Sequence, residues 1–190
     1  MRRTRRTAED ARQIILAAAV ELFVHDGYGA TSLDDIAGKV GMTRQAALYH
    51  FRTKEDLLRN VVDPYLNDLT RTLDTVPVSD RPTADEQRAM LAALVDVLAA
   101  HRGVVSLLSR FTTATTIAGL GPRVAGLTTR IQSLLVGSAL ATDPAVRTRA
   151  HATTAALIGV ISARAEIPLD DRHQRHVLVE AAAAILASAH

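Results

Sequence analysis

The sequence predicts an all-α protein of about nine helices. Apolar residues make up 48% of the chain and aromatic residues only 3%, so small and straight-chain aliphatic side chains dominate. These side chains lose little rotamer freedom in a helix. Every segment with a clear hydrophobic period repeats at helical spacing, and no alternating run rich in Val and Ile indicates a strand. The chain is therefore expected to fold as a helical globule.

Each of the first four predicted helices follows a capping residue. A side-chain oxygen at these positions accepts a hydrogen bond from a free N–H group of the first turn. The third residue after Thr7 is an acid, which is typical of a capping box. Pro64 lies inside the fourth helix and should kink it or shift its start. The caps are Thr7, Ser32, Thr43 and Thr53, and the helices extend to about residues 26, 40, 51 and 73.

The later helices are separated by prolines and glycines. Residues 76–82 contain two prolines and no periodicity, which predicts a linker. Thr83 with Glu86 forms a second capping box, and Asp143-Pro144 is a strong helix start. After the helix that Thr83 begins, the remaining helices are predicted at 103–118, 122–140, 144–165 and 171–189.

Composition and charge limit the function classes. The chain has no cysteine, which excludes disulfides and thiolate metal sites and fits a reducing cytoplasm. No apolar run approaches the roughly 20 residues that span a bilayer, and the charged first helix argues against a secretory signal. We therefore expect a cytoplasmic protein that makes no membrane contact. Residues 1–60 hold 10 Lys/Arg against 8 Asp/Glu, whereas residues 61–190 hold 12 of each. The excess positive charge thus lies in the first third and suggests a local polyanion contact, although a solubilising tail would look the same.

Residues 31–58 (TSLDDIAGKVGMTRQAALYHFRTKEDLL) predict a helix-turn-helix. Gly41 joins two short helices and supplies a turn conformation that a Cβ disfavours. Ala37 is small enough to let the two helix axes approach closely. The second helix is expected to expose polar side chains, and Arg and Gln can form paired hydrogen bonds with guanine and adenine in the major groove. The residues expected to face outward are Arg44, Gln45, Tyr49 and His50.

This stretch resembles the DNA-binding region of the TetR family. That family's pattern reads T-[ST]-x-x-x-I-A-x-x-x-G-[VML]-[ST], then an aromatic-His-Phe group and a Lys that precedes an acid and Leu. The resemblance covers roughly residues 10–60, with one departure, because many members carry Leu-Tyr where this chain has Ala47 and Leu48. Matching positions are Ala18, Leu22, Phe23, Gly27, Tyr28, Thr31, Ser32, Ile36, Ala37, Gly41, Met42, Thr43, Tyr49, His50, Phe51, Lys54, Glu55 and Leu57.

The resemblance implies a repressor that binds a double-stranded DNA operator, probes it with the third helix and responds to a small-molecule effector. It implies base contacts from Arg44, Gln45 and Ala46, and phosphate or flanking-base contacts from Tyr49 and His50. It also implies phosphate contacts from Thr31, Ser32, Thr43 and Lys54, with Arg5 and Arg6 adding contacts from the basic arm. Ser32 and Thr43 would cap helices in any case, His50 could be a core residue, and Lys54 alone would be an ordinary surface lysine.

The last two predicted helices are apolar on more than one face, which requires burial on several sides. A subunit interface provides this, and the family resemblance implies a homodimer built on these helices; a central position in a monomeric bundle is the alternative. The interface is expected to include Ala155, Gly159, Ala163, Val177, Ala181, Ala184 and Ile185.

An effector site is expected among the central helices, where a few polar side chains interrupt aliphatic faces. Each threonine there could instead bond back to its own helix. The candidates are Phe111, Thr112, Thr115, Thr128, Gln132 and His151.

The predicted division of the chain is a basic arm at 1–8, a DNA-binding domain at 9–53 and a ligand-binding and dimerisation domain at 54–190. We expect no cofactor and no enzyme activity. The alternatives are a related activator without an effector, and an all-α enzyme holding a metal between His173 and His176 with Asp170 or Asp171. The spacing that suggests this metal site is common on solvated helices.

Overall fold

The computed structural model describes residues 7–110, 119–163 and 171–188, and within these ranges the chain forms ten α-helices and no strand. The predicted all-α fold is confirmed. The helices are α1 (Ala8–His25), α2 (Leu33–Lys39), α3 (Arg44–His50), α4 (Lys54–Thr75), α5 (Ala84–Ala100), α6 (Arg102–Arg110), α7 (Gly121–Val136), α8 (Ala139–Thr142), α9 (Pro144–Ser162) and α10 (Arg172–Ala187).

The predicted caps begin the helices that follow them. Thr7, Ser32 and Thr83 each form a reciprocal capping box with the acid three residues later. Thr43 and Thr53 each accept a single hydrogen bond from the first turn, at 3.2 Å from Ala46 N and 3.0 Å from Asp56 N. α1 starts at Ala8, the last residue of the segment 1–8 that was predicted to be the basic arm.

One prediction about helix continuity needs correction. The predicted helix 122–140 is divided into α7 and α8 at Gly137, which has φ +62°. A Cβ at this position would lie 2.1 Å from the carbonyl oxygen of Asp80, so only glycine fits there. Pro64 lies inside α4, as predicted, and the helix starts at Lys54 directly after its predicted cap, so of the two predicted effects of Pro64 only the kink stays a prediction.

α4 connects the N-terminal region, residues 7–53, to the rest of the chain, which we call the body. It packs against α1 on one side and against α5, α6 and α7 in the body. α6 also packs directly against α1. Gly103 on α6 lies so close to Val20 on α1 that a Cβ on Gly103 would be 2.8 Å from Val20 Cγ1. The two regions therefore share one continuous hydrophobic core.

No single helix among the described residues is long and apolar enough to cross a membrane. α5 and α6 would reach that length and hydropathy only together, and the chain bends by 88° between them.

Candidate DNA-binding surface and internal cavity

α2 and α3 form the predicted helix-turn-helix. Gly41 lies between them with φ +68°, and the N–H of Met42 donates to Ala37 O at 2.9 Å. Ala37 and Ala47 are buried where the helices meet. The turn and these buried contacts hold α3 against α2 through its apolar face.

The outer face of α3 is open to solvent. Arg44, Gln45 and Ala46 are exposed, and Tyr49 has 82% of its surface accessible. The Arg44 guanidinium lies 3.1 Å from the carboxylate of Asp34, also exposed, so this pair is readily exchanged for another anion. A helix with such a face can lie in a groove that offers hydrogen-bonding edges.

His50 lies at the edge of this face and is half-buried. Its ring meets that of Tyr49 edge to face, with centroids 5.3 Å apart. Its carbonyl oxygen accepts a hydrogen bond from Arg12 Nη1 at 3.4 Å. Arg12 also bonds Asn60 and lies 4.5 Å above the centre of the Phe51 ring, so one α1 side chain ties α1, α3 and α4 together. Sequence reasoning missed Arg12, because only the fold brings its three contacts together.

Thr31 is buried and Lys54 is half-buried, and both hydrogen-bond to backbone carbonyls; their role as phosphate ligands stays a prediction. Thr31 is 3% exposed, and its hydroxyl donates to Gly27 O at 2.9 Å. Lys54 Nζ donates to Tyr28 O at 2.9 Å and to Thr31 O at 3.0 Å, and lies 4.4 Å from the centre of the Tyr28 ring. Both side chains hold the connection between α1 and α2.

Tyr28 lies in the same connection. Burial, together with the nearby Glu55 carboxylate, raises the pKa of Tyr28 to about 12. Its hydroxyl is therefore neutral at physiological pH, and the ring serves as a surface for the Lys54 ammonium.

The other predicted DNA contacts divide into two groups. Ser32 and Thr43 are exposed at the starts of α2 and α3, where both act as caps. Arg5 and Arg6 lie outside the described residues.

A partly open cavity of about 130 Å³ lies between α4, α5, α6, α7 and α9. Its lining is aliphatic except for four hydroxyl-bearing residues, and no charged residue occurs among the described residues that line it. The lining consists of Tyr65, Leu66, Leu69, Leu94, Leu98, Val105, Leu108, Ser109, Val124, Leu127, Thr128, Ile131, Thr154, Leu157 and Ile158.

Of the predicted effector residues that are described, only Thr128 lines this cavity. Gln132 is buried beside it, and its Nε2 lies 2.7 Å from His151 Nδ1. His151 is itself exposed, and the two residues contact each other without lining the cavity, so their role in ligand binding stays a prediction. Phe111, Thr112 and Thr115 lie outside the described residues.

α9 and α10 each present a row of small residues to solvent, on the side away from the core. Ala155 and Gly159 on α9 are exposed, as are Ala181 and Ala184 on α10. Val177 has 47% of its surface accessible. Two further predicted interface residues, Ala163 and Ile185, are half-buried.

Asp171 caps α10 by accepting a hydrogen bond from His173 N at 2.8 Å. Within the described ranges no three His, Asp or Glu side chains are grouped as metal ligands would be. Asp170, the other acid considered for a metal site, lies outside those ranges.

Comparison with known proteins matches the N-terminal region. Residues 15–61 match the family model for bacterial regulatory proteins of the tetR family. The HTH-type transcriptional regulator SrpR of Pseudomonas putida is 44% identical over 61 residues, and AcrR of Shigella flexneri is 42% identical over 60. Each alignment covers 32% of this chain, 29% of SrpR and 28% of AcrR, so less than a third of either relative is matched.

Similarity to solved structures extends over the whole chain. AmtR of Mycobacterium smegmatis superposes with a TM-score of 0.74 at 26% identity, over 100% of this chain and 90% of that one. A tetR-family regulatory protein from Rhodococcus RHA1 superposes with a TM-score of 0.71 at 23% identity, over 95% and 98% of the two chains, which shows a shared fold. Residues 15–61 therefore match the tetR family of bacterial regulatory proteins, and the whole chain shares the fold of these solved structures.

Proposed function

We propose that this protein is a homodimeric repressor that binds a palindromic DNA operator and is released from it by a small molecule in the body cavity. The observation that carries the DNA-binding part is the exposed outer face of α3 on a buried base. Among the curated relatives, BepR of Brucella suis, 37% identical over 62 residues, is named a transcriptional repressor. A repressor of this kind acts in the cytoplasm, where the chromosome lies, and catalyses no reaction.

Arg44 and Gln45 are the proposed base-reading residues. Both lie in the first turn of α3 and are exposed, and their side chains can donate paired hydrogen bonds to base edges. Ala46 offers a methyl contact to thymine. Tyr49, His50, Ser32 and Thr43 surround these residues and are proposed to contact the sugar-phosphate backbone, which positions α3 without reading sequence. Arg5 and Arg6 would add contacts that weaken with salt.

The exposed small-residue faces of α9 and α10 are the proposed dimer interface. Small side chains let two helix pairs approach closely, and burying Val177 would remove apolar surface from water. A two-fold dimer would place its recognition helices one turn of DNA apart, about 34–36 Å, or a multiple of that distance. The operator would accordingly be palindromic.

α4 is the proposed link between effector and DNA. Lys54, at its start, holds the connection between α1 and α2, and Tyr65 lines the cavity eleven residues later. Those residues are separated by about 16 Å along one helix axis. A ligand that prefers a different position of α4 would therefore shift the population of DNA-binding geometries.

The test begins by selecting binding sites from a random-sequence DNA duplex library with the full-length protein. Affinity for the selected duplex is then measured by fluorescence anisotropy. We expect Arg44→Ala and Gln45→Ala each to weaken binding by at least about tenfold, because each removes a base contact. Arg81→Ala is the matched control, since Arg81 is an exposed arginine in the loop between α4 and α5.

Selection that yields no common sequence, or equal affinities for all three variants and the parent, would contradict the DNA-binding proposal. The same titration gives the stoichiometry. Two chains per duplex are expected for a dimer on a palindrome, and a single chain at saturation would exclude the dimeric arrangement.

A further inference from the structure

We infer that the cavity takes an uncharged, mostly aliphatic molecule of roughly benzene size, with one hydrogen-bond acceptor held by the Tyr65 hydroxyl. This inference rests on the proposal that the cavity is the effector site, and it adds the chemical class of the effector.

The size and the lining of the cavity determine the size and the charge of the ligand that it can hold. The volume is about 130 Å³, and an apolar cavity of about 150 Å³ is known to stay dry and to hold benzene. Eleven of the fifteen lining residues are Leu, Ile or Val, and the other four carry only hydroxyls. A carboxylate or ammonium ion would lose its hydration there without meeting an opposite charge from any described lining residue. The cavity therefore selects against ions.

Tyr65 determines the hydrogen-bonding group that is expected of the ligand. Its side chain is 7% exposed and lines the cavity. Its hydroxyl makes no hydrogen bond to any residue that the structure describes. Burial raises the pKa of Tyr65 to about 12, so the phenol keeps its proton at physiological pH. No described protein group accepts its proton, and a ligand oxygen in the cavity could do so.

The other three hydroxyls use their protons within the protein. Thr128 donates to Val124 O at 3.0 Å, and Thr154 donates to Ala150 O at 3.0 Å. Ser109 is 3.1 Å from Ser106 O and 3.0 Å from Ser162 Oγ, and either can receive its proton. Tyr65 is thus the one described lining residue with a proton free for a ligand, which favours a ketone, aldehyde, ester or ether oxygen.

Four probes with the same six-membered carbon ring test this class: cyclohexanone, methylcyclohexane, cyclohexylammonium and cyclohexanecarboxylate. Each is titrated into the full-length protein without DNA, and its affinity is measured by NMR. We expect cyclohexanone to bind most tightly and the two ions not to bind. Tyr65→Phe should weaken cyclohexanone binding about three- to tenfold and leave methylcyclohexane unchanged, because only a neutral hydrogen bond is lost.

Unchanged cyclohexanone affinity in Tyr65→Phe, tighter binding of either ion, or no binding of any probe would overturn the inference. Methylcyclohexane also checks that the Tyr65→Phe cavity is intact. A second variant, Leu157→Phe, fills the cavity from α9 and should abolish binding of both neutral probes; retained binding would place the site elsewhere and overturn the inference. DNA affinity is measured separately with and without cyclohexanone. Tyr65-dependent binding that leaves DNA affinity unchanged supports the ligand class and contradicts only the proposed effector control.

Discussion

The N-terminal region and the body use their tyrosines in opposite ways. Tyr49, on the outer face of α3, has 82% of its surface accessible, whereas Tyr65, eleven residues into α4, has 7%. The N-terminal region presents the polar side chains of α3 to solvent, and the body surrounds an apolar cavity that Tyr65 lines. A substitution on the outer face of α3 should thus change DNA binding without changing stability, while one in the cavity lining should affect both ligand binding and stability.

The same contrast applies to the glycines that turn the chain in each region. Gly41 in the helix-turn-helix and Gly137 between α7 and α8 have almost the same φ, +68° and +62°. Open space surrounds the position of a Cβ on Gly41, but a Cβ on Gly137 would lie 2.1 Å from Asp80 O. Ser138 N also donates to that oxygen at 3.1 Å, so the loop between α4 and α5 is held against this turn.

The largest expected effect is on the stability of Gly137→Ala. We expect it to lower the free energy of unfolding by about 3 kcal/mol, from backbone strain and the clash together. Gly41→Ala should cost about 1 kcal/mol, from strain alone. Both are measured by urea denaturation. Gly126→Ala is the control, because Gly126 lies within α7 with open space around it and alanine favours a helix there by about 0.5–1 kcal/mol.

If Gly41→Ala and Gly137→Ala lower the free energy of unfolding equally, the loop between α4 and α5 moves away from the added Cβ at no cost. The close packing described for this end of the body would then contribute nothing to stability.

The N-terminal region could be predicted from sequence because its signals are local. Thr43, Gly41 and Ala37 lie within seven residues, and together they specify a cap, a turn and a close helix contact. The all-α class followed from composition and periodicity in the same way. Inward or outward orientation could not be predicted as well: Thr31 and Lys54 match the family pattern, yet both bond to the backbone between α1 and α2.

The cavity could not be predicted because its lining is drawn from five helices, spread over residues 65–158. Choosing polar residues by type identified Thr128 but also Gln132 and His151, which satisfy each other. Tyr65 went unnoticed, since an aromatic residue at a buried helical position looks like ordinary core. Only the packing of α4 against its neighbours reveals that Tyr65 lines a cavity.

The second prediction concerns the two lysines of the chain, Lys39 and Lys54. Lys54→Met leaves two backbone carbonyls without their charged donor and should lower the free energy of unfolding by about 2 kcal/mol. Lys39→Met is the matched control. Lys39 pairs with Glu21 at 2.8 Å, and side chains of both are more than a third exposed, so its loss should cost less than about 1 kcal/mol.

Urea denaturation of both variants gives the stabilities, and anisotropy with the selected duplex gives the DNA affinities. If Lys54→Met has the stability of the parent but binds DNA more weakly, Lys54 contacts DNA and does not stabilise the N-terminal region. That result would contradict the contrast between the two regions.

The smallest expected effect is a pH dependence in the body. A hydrogen bond from His101 and another from Arg71 lower the pKa of Asp68 below its usual 3.8. A carboxyl group with a lowered folded-state pKa stabilises the fold above its unfolded pKa, and this contribution is lost as the pH falls through the folded value. We expect Asp68→Asn to lower the urea midpoint at pH 7, and the gap from the parent to narrow as the pH falls to 3.8 and below.

Asp85→Asn is the control, because the Asp85 side chain is 99% exposed on α5 and contacts only Arg88, at 3.5 Å, and it should show a smaller gap than Asp68→Asn. Asp68 itself joins α4 to His101 at the corner between α5 and α6, 2.8 Å from His101 Nε2. A gap that persists unchanged into acid would mean that Asp68 stabilises the body as a neutral acid as well as it does as a carboxylate. The corner beside the cavity would then be held by packing around Tyr65 and His101, whose rings lie 5.6 Å apart, and not by charge.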